Sequence, residues 1–408
     1  MHIKRRASLT ALVGVLALAG AACGSDDTAS TSPGSGSSQQ QAQASDKVTA
    51  IPSLTGEGTS VILDAGTASA LKGLGVAIAP SGNASFEAST STITFPITSG
   101  YAEIHSDLTT KPGYILGSIN HQASGFTLTA GSTKVELSDF VVDPGNSMLY
   151  GTVGDKPGVP LLSLDGSNVK VTMEGANVVL FGTVAKLTDT AATALNGAFK
   201  TQAIKPGTPL GVVRLVAKGN ATTYSPASDK TAVINRLGGK QTAVKLDAGT
   251  ADALKSLGVA VAPTGSGKFD SGTGTVSFPI TGGFAAIHSD KSFQPGYIVG
   301  NVVHEGSGLK FSKGNQSIEV TDFVVDPGTS ILTATAGGKP GIPLLSLDGT
   351  NVQVSMAGSD VVLQGTVAKL TNTGASALNS TFSVSAFKEG MPLGVVTLTA
   401  TQAQAPTA

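Results

Sequence analysis

The sequence predicts an all-β protein built from two tandem copies of one β-sandwich or barrel-like domain, with two short helices in each copy. Segments recur without gaps at a spacing of 183 positions, so that "DFVVDPG" begins at Asp139 and again at Asp322. Many segments are rich in Val and Thr and alternate apolar with polar residues, as half-buried strands do. Gly and Pro interrupt them about every ten residues, as expected in a sandwich or barrel.

The N-terminus resembles a bacterial lipoprotein signal. A basic start precedes an apolar stretch too short to span a bilayer core of about 30 Å, and small residues then lead to Cys23, the only cysteine. Cys23 is the expected lipidation site, which predicts a protein anchored to the outer face of the cell membrane. The alternative is ordinary signal cleavage with Cys23 nearby by chance. The predicted regions are a signal peptide (1–22), a lipidated cysteine with a flexible Ser/Gly/Gln-rich tether (23–50), a first β domain (51–217), a linker (218–235) and a second β domain (236–402).

Composition excludes several classes of function. The net charge is −1 and the charges are interspersed, so nucleic acid is not an expected partner. Beyond Cys23 there is no cysteine, which excludes disulfides and thiolate metal sites in the exported domains. The chain lacks a nucleophile elbow, a P-loop, a zinc-protease motif and a dinucleotide fingerprint. We therefore predict no enzymatic activity.

Two helices are predicted in each copy, as lids over the core of the sheet. In the first, "GTASALKGLG", Thr67 is a candidate N-cap, Leu71 and Leu74 share a face, and Gly75 is a stop signal. The second has Thr188 or Asp189 as its cap. Its apolar stripe comprises Leu187, Ala191, Leu195 and Phe199.

One strand of each copy carries a phase break. Val135 and Leu137 share a face, but the next apolar residue, Phe140, is out of phase. The second copy repeats the pattern. A β-bulge near Ser138-Asp139 is predicted, because it restores the inward direction.

Histidine is scarce, yet "GYILGSINHQASG" and "GYIVGNVVHEGSG" keep one at the same place, His121 and His304. Strand alternation predicts that each lies on an aliphatic face at a strand end. Gly117 and Gly300, four residues earlier, are predicted to leave room beside them. The imidazole is either a ligand for a metal or flat cofactor, or a structural group bonded within its own copy.

A second histidine pair, His105 and His288, also recurs. With Asp107 and Asp290 nearby, these residues are candidate metal ligands. The alternative is that they are solvent-exposed loop residues.

The order of motifs in each copy resembles that of the HtaA-type domains of actinobacterial surface proteins. The motifs are a strand, G-x-[IV]-x-H-x-x-S-G, further β segments, V-A-K-L-T, an Ala-rich helix and a G-x-P-L-G strand. The resemblance implies tandem β modules, exported or anchored, of which several bind haem, and the family's histidine falls on His121 and His304. The opening "LDAGTASALKGLG" lacks that family's Trp and haem-ligating Tyr. Strand alternation places Tyr114 and Tyr297 on the face opposite the histidines.

Two functional hypotheses follow. The first is a membrane-anchored cell-envelope lipoprotein, held by the lipid at Cys23, whose β modules serve a structural, adhesive or protein-interaction role without a cofactor. The alternative is a surface lipoprotein that binds haem or a divalent metal through His121 and His304. An envelope protein or a small apolar ligand is the expected partner.

Overall fold

The computed structural model describes residues 47–51, 54–106, 115–154, 156–175, 177–219, 222–224, 232–234, 236–289 and 297–402. The strands of the first sheet are β1 (Val48–Ile51), β2 (Thr55–Leu63), β3 (Ala77–Gly82), β4 (Ser85–Glu87), β5 (Thr92–Phe95), β6 (Ser99–His105), β7 (Ile115–Ala130), β8 (Thr133–Asp143), β9 (Met148–Val153), β10 (Lys156–Asp165), β11 (Lys170–Glu174), β12 (Asn177–Leu187), β13 (Pro209–Lys218) and β14 (Thr222–Tyr224).

The second sheet repeats this order. Its strands are β15 (Ala232–Ile234), β16 (Leu237–Leu246), β17 (Ala260–Gly265), β18 (Lys268–Asp270), β19 (Thr275–Pro279), β20 (Gly282–Ile287), β21 (Ile298–Lys313), β22 (Gln316–Asp326), β23 (Ile331–Ala336), β24 (Lys339–Asp348), β25 (Gln353–Ala357), β26 (Asp360–Leu370) and β27 (Pro392–Gln402). The helices are α1 (Ala65–Gly73), α2 (Asp189–Phe199), α3 (Ala248–Ser256) and α4 (Asn372–Phe382).

Each copy is one curled antiparallel sheet, so the barrel-like form of the predicted all-β fold is the one observed. The first sheet runs in the order β14-β1-β6-β7-β8-β9-β10-β12-β13-β2-β5-β4, and the second follows the same path from β20 to β18. Strands β11 and β25 pair only with β12 and β26 and lie off these paths. The concave face of each sheet therefore encloses the core of its own copy.

The helices pack on the concave side. Helix α2 buries Ala191, Ala192 and Leu195 in the core, and Thr188 is its N-cap, as predicted. Thr67 is not the cap of α1: the carboxylate of Asp64 accepts from its backbone N–H at 2.8 Å. In the described residues no helix is both long and apolar enough to cross a bilayer.

The predicted bulge is present in both copies. Asp139 and Asp322 adopt left-handed backbone conformations, with φ of 54° and 55°. Opposite β9, Ser138 pairs with Thr152 and Val141 with Tyr150, so β8 holds one extra residue. The extra residue turns Phe140 back into the core, which confirms the physical reason for the prediction.

The folded part begins earlier than the predicted boundary at residue 51. Strand β1 (Val48–Ile51) pairs with β6 and β14, and Val48 and Ala50 are fully buried. Strands β14 and β15 fall within the predicted linker, and each extends one of the sheets. The signal peptide, Cys23 and the tether up to residue 46 lie outside the described residues.

The two sheets pack against each other within one compact unit. The rings of Tyr101 and Phe284 stack with centroids 5.6 Å apart and an interplanar angle of 17°. A second shared cluster joins Val141 to Val303 and Val324. Each copy therefore has its own core, and a buried interface joins the copies.

Candidate ligand-binding cavities

Side chains of strand β7 alternate between the interior of the first sheet and the interface with the second copy. Ile115, Ile119 and His121 line the interior of the curled sheet. Leu116 belongs to the cluster shared with the second copy, and the carbonyl of Ser118 faces Asn301 at 3.4 Å. The predicted placement of His121 on the aliphatic face is confirmed.

His121 is bonded at both ring nitrogens. Its Nδ1 lies 3.0 Å from the carbonyl oxygen of Pro96, which can only accept, so Nδ1 carries the proton. Nε2 then accepts from the hydroxyl of Thr59 at 3.1 Å. The ring is 1% exposed, and burial lowers its pKa to about 4, so it is neutral at pH 7.

The second copy reproduces this geometry. His304 Nδ1 donates to the carbonyl of Pro279 at 3.0 Å, and Nε2 accepts from Thr242 at 3.1 Å. Burial again lowers the pKa to about 4. Sequence reasoning missed the threonines. Their signal was repetition at the same spacing, since Thr59 and Thr242 match while both neighbours of each differ.

Two details of the histidine prediction were wrong. His121 does not lie at a strand end, because β7 continues to Ala130 beyond the bulge. Gly117 does not leave room for a ligand. It has φ of 137°, and a methyl group there would overlap the carbonyl of Tyr101 on β6. Gly300 is placed in the same way against Phe284. Both glycines permit a close backbone approach.

The interior of the first copy contains a cavity of about 890 Å³. Its walls are almost entirely aliphatic, and no charged side chain lines it among the described residues. Helix α1 contributes Leu71 and Leu74 to the wall. Hydroxyl groups and His121 supply its polar edge: Thr59, Thr67, Ser147, Ser167, Thr183 and Thr208.

The second copy contains a matching cavity of about 780 Å³, lined by His304. Its wall includes Tyr297, contrary to the expectation from strand alternation. Alternation does not apply there, because β21 begins at Ile298. Tyr114, the counterpart, lies outside the described residues.

The second histidine pair does not fit the exposed-loop alternative. His105 ends β6 with its side chain 12% exposed, and its Nε2 lies 3.8 Å from the carboxylate of Glu103. His288 is buried. Asp107 and Asp290 lie outside the described residues, within which no group of three or more His, Cys, Asp or Glu side chains is arranged to hold a metal ion.

The repeated acids serve local structure. Asp143 accepts from the backbone N–H and the side-chain amide of Asn146. Asp165 accepts from Ser167 and pairs with Lys186 at 2.8 Å. These contacts are typical of acidic residues that stabilise turns.

Two curled β sheets, each surrounding a large apolar cavity, define a duplicated all-β protein. No protein-family model matches the chain, and no curated protein matches it. Among solved structures, it is similar to the C-terminal domain of HtaA from Corynebacterium glutamicum, at 12% sequence identity and a TM-score of 0.29. The match covers 40% of this chain and 98% of that chain, and it is to the type of domain that the sequence motifs resemble.

The residues of the first cavity do not fit haem. An axial ligand needs a free ring nitrogen, but both nitrogens of His121 are engaged. Haem also carries two propionates, and no cationic side chain lines this cavity in the described residues.

Proposed function

We propose that this protein is a cell-envelope lipoprotein that holds an apolar, chain-like molecule in the cavity of each copy. The observation that carries the proposal is the pair of aliphatic cavities, about 890 and 780 Å³. Both volumes fall within the roughly 300–1,000 Å³ typical of small-molecule sites. The proposal assigns no catalytic step.

The size of the cavities argues for occupancy. Apolar side chains that face an unfilled space lose packing contacts, and this cost grows with the volume left empty. A typical domain has a net stability of only about 5–15 kcal/mol, so large unfilled apolar cavities are unfavourable. Water is a poor filler, because apolar walls offer it few hydrogen bonds. An apolar ligand removes the cost.

The wall chemistry favours an alkyl or isoprenoid chain. Aliphatic side chains recognise such a chain by burial, at about 0.8 kcal/mol per methylene. Among the described residues, no charged side chain lines the first cavity. A charged head group of the ligand would therefore stay outside the cavity, where the wall reaches the surface. Leu74 belongs to this wall and is also solvent-exposed, which puts part of the wall at the surface.

The histidines in this proposal are wall supports. Each ties β7 or β21 to the C-terminal end of β5 or β19 through Pro96 or Pro279, and to β2 or β16 through a threonine. A neutral ring with both nitrogens engaged fixes the curvature of the wall and presents its carbon edge to the ligand.

Membrane attachment through Cys23 is the second part of the proposal, and it rests on the leader sequence. The variant Cys23→Ser is expected to move the protein from the membrane fraction to the medium. A variant that stays with the membrane contradicts the anchor and leaves the cavities untouched.

The cavity proposal is tested with cis-parinaric acid, which fluoresces when an apolar site takes it up. The delipidated chain is expected to bind two molecules. Ala185 and Ala368 are equivalent buried residues of the two walls, and a phenylalanine at either narrows its cavity. Ala185→Phe or Ala368→Phe should each weaken binding at its own site only, and the double variant should weaken binding at both sites.

Each single variant is the control for the other, because both add the same volume. Two sites that keep the wild-type affinity in the double variant would contradict the proposal. A Soret band that appears on titration with haem and vanishes in His121→Ala would favour the haem alternative instead.

A further inference from the structure

The large apolar side chains most exposed to solvent, among the described residues, are Met173 at 65% and Met356 at 64%. They lie on the off-path strands β11 and β25, 183 positions apart. Val171 and Val354, two residues earlier in each strand, are also exposed. Both copies thus expose the same Val-x-Met strip.

The strip of the first copy faces the cavity side of the sheet. Val171 pairs with Leu180 and Met173 with Val178. Residues directly opposite in an antiparallel pair share a face. Leu180 and Val178 both line the cavity, so the strip continues the cavity wall outwards.

The second copy has the same geometry. Val354 pairs with Leu363 and Met356 with Val361, and both partners line the second cavity. Val352, immediately before this strand, lines the cavity too.

The polar positions of these strands have changed between the copies while the apolar ones have not. Lys170 corresponds to Gln353 and Glu174 to Ala357, whereas the valine and methionine are the same in both copies. Solvent exposure increases along each strand, from the half-buried Val169 at the cavity to Met173. An apolar path therefore leads from each cavity to solvent.

We propose that these two strips, Val171/Met173 and Val354/Met356, are lips that touch a lipid bilayer and pass an alkyl-chain ligand between the bilayer and the cavity. This inference rests on the proposed function and adds its partner, a lipid surface. Exposed methionine and valine gain from burial among acyl chains. Continuity with the cavity wall distinguishes the strips from apolar residues scattered elsewhere on the surface.

The charges near the lips favour a neutral bilayer surface. Arg214 pairs with Glu174 at 3.0 Å and Lys240 with Asp360 at 3.3 Å. Because these two cations are paired with acids, we expect no strong preference for anionic lipids. A chain from Cys23 to Lys47 spans at most about 85 Å at roughly 3.5 Å per residue, which keeps an anchored protein near its bilayer.

The test measures transfer of pyrene-decanoic acid from phosphatidylcholine vesicles to the mature full-length protein, followed by loss of excimer fluorescence. The variant replaces all four lip residues with serine (Val171→Ser, Met173→Ser, Val354→Ser, Met356→Ser). The transfer rate is expected to fall by about tenfold, which corresponds to ~1.4 kcal/mol in the barrier. The affinity for the same probe added from aqueous solution should change by less than about twofold, the equivalent of ~0.4 kcal/mol.

The matched control is Ile62→Ser with Val395→Ser. These residues are 39% and 45% exposed and adjoin the wall residues Val61 and Val396, so their side chains point away from the cavities. The control should transfer the probe at the wild-type rate. Variants that change the lip of only one copy should lower the transfer rate by about half. They replace the fourfold variant in the test if that variant does not unfold cooperatively.

Three results would contradict the proposed role of the lips. The first is an unchanged transfer rate in the lip variants, and the second is an equally slow transfer in the control variant. The third is a parallel loss of transfer rate and probe affinity, which would make the strips part of the cavity rather than a route to it. Failure of the wild-type protein to bind the probe from solution is a different outcome, because it contradicts the cavities themselves.

Discussion

The two copies keep the same interior and differ where they meet. His121 and His304 make the same pair of bonds to equivalent partners. At the interface, in contrast, the equivalent residues Tyr101 and Phe284 differ, as do Leu116 and Val299, although Val141 and Val324 are the same. Duplication requires each curled sheet to keep its wall, whereas a contact between two copies only requires that the surfaces complement each other.

The pair Gln122 and Glu305 illustrates this divergence. Both side chains are buried at equivalent positions next to the histidines. The amide of Gln122 donates to the backbone carbonyl of Asp322, across the interface. Burial raises the pKa of Glu305 well above its usual value, and the nearby Asp139 and Asp322 raise it further.

The helices over the cavities differ as well. In the first copy, Leu71 and Leu74 of the α1 segment line the cavity, and Leu74 is exposed. In the second, Leu254 of α3 is buried in the core and α3 does not contribute to the cavity wall. The first cavity is the larger of the two, and Leu74 brings part of its wall to the surface. We therefore expect a ligand to exchange more easily in the first copy.

The largest expected effect comes from the glycines that both copies retain. Gly117→Ala and Gly300→Ala force a methyl group into the carbonyl of the neighbouring strand and strain a positive φ. Each should lower the free energy of unfolding by about 3–5 kcal/mol, measured by urea denaturation. Gly131→Ala, a turn glycine with open space around it, should cost only about 1 kcal/mol. Equal costs at the three positions would contradict the close-approach explanation.

A smaller effect is expected on acidification, and it should be the same in both copies. Burial holds the pKa of His121 and His304 at about 4, below the unfolded value of 6.5. Stability from these groups is complete above pH 6.5 and declines as the pH falls towards 4, because only the unfolded chain gains the proton. The loss is about 3 kcal/mol per histidine at 1.36 kcal/mol per pKa unit.

The variant His121→Ala isolates this term. At pH 7 it should be less stable than the wild type by about 1–3 kcal/mol, because Thr59 and Pro96 lose their partner. The difference should shrink and then reverse as the pH approaches 4. A difference that is constant across this range would mean that the folded and unfolded chains take up the proton with the same pKa, which contradicts a pKa lowered by burial.

The smallest effect should distinguish the two sides of the interface. Because the pKa of Glu305 is raised, its contribution to stability is complete below the unfolded value of about 4.5 and is lost as the pH rises. Glu305→Gln should therefore stabilise the protein by about 1–2 kcal/mol at pH 8 and have no effect at pH 4. The reciprocal variant, Gln122→Glu, should destabilise it at pH 8. Destabilisation by both would show that Glu305 is charged and paired.

Local patterns in the sequence predicted much of the fold. The duplication, the strand alternation around His121 and the bulge at Asp139 all depend on neighbouring residues, which a sequence displays directly. The bond from His121 to Thr59 joins residues 62 positions apart and depends on how the sheet curls. The cap of α1 was misassigned to Thr67 because Asp64 lies in the preceding turn.

Local sequence patterns did not predict the cavities or the interface between the copies. Alternation marks which residues face inwards, but not whether they fill the space they enclose. The burial of Val48 and Ala50 in a segment expected to be tether depends on β6 and β14, which are far away in the sequence. Tyr297 was misplaced because the start of β21 cannot be read from its sequence alone.

The most direct test of the central claim is native mass spectrometry of the Cys23→Ser chain collected from the medium without detergent, followed by organic extraction of the same sample. The account predicts a mass excess equal to two molecules per chain and an extract that contains compounds with long alkyl or isoprenoid chains. Ala185→Phe should lower the occupancy of one of the two sites. The claim that the two cavities are binding sites would be contradicted if the chain is detected at its mass without ligand and also takes up no alkyl compound when mixed with vesicles.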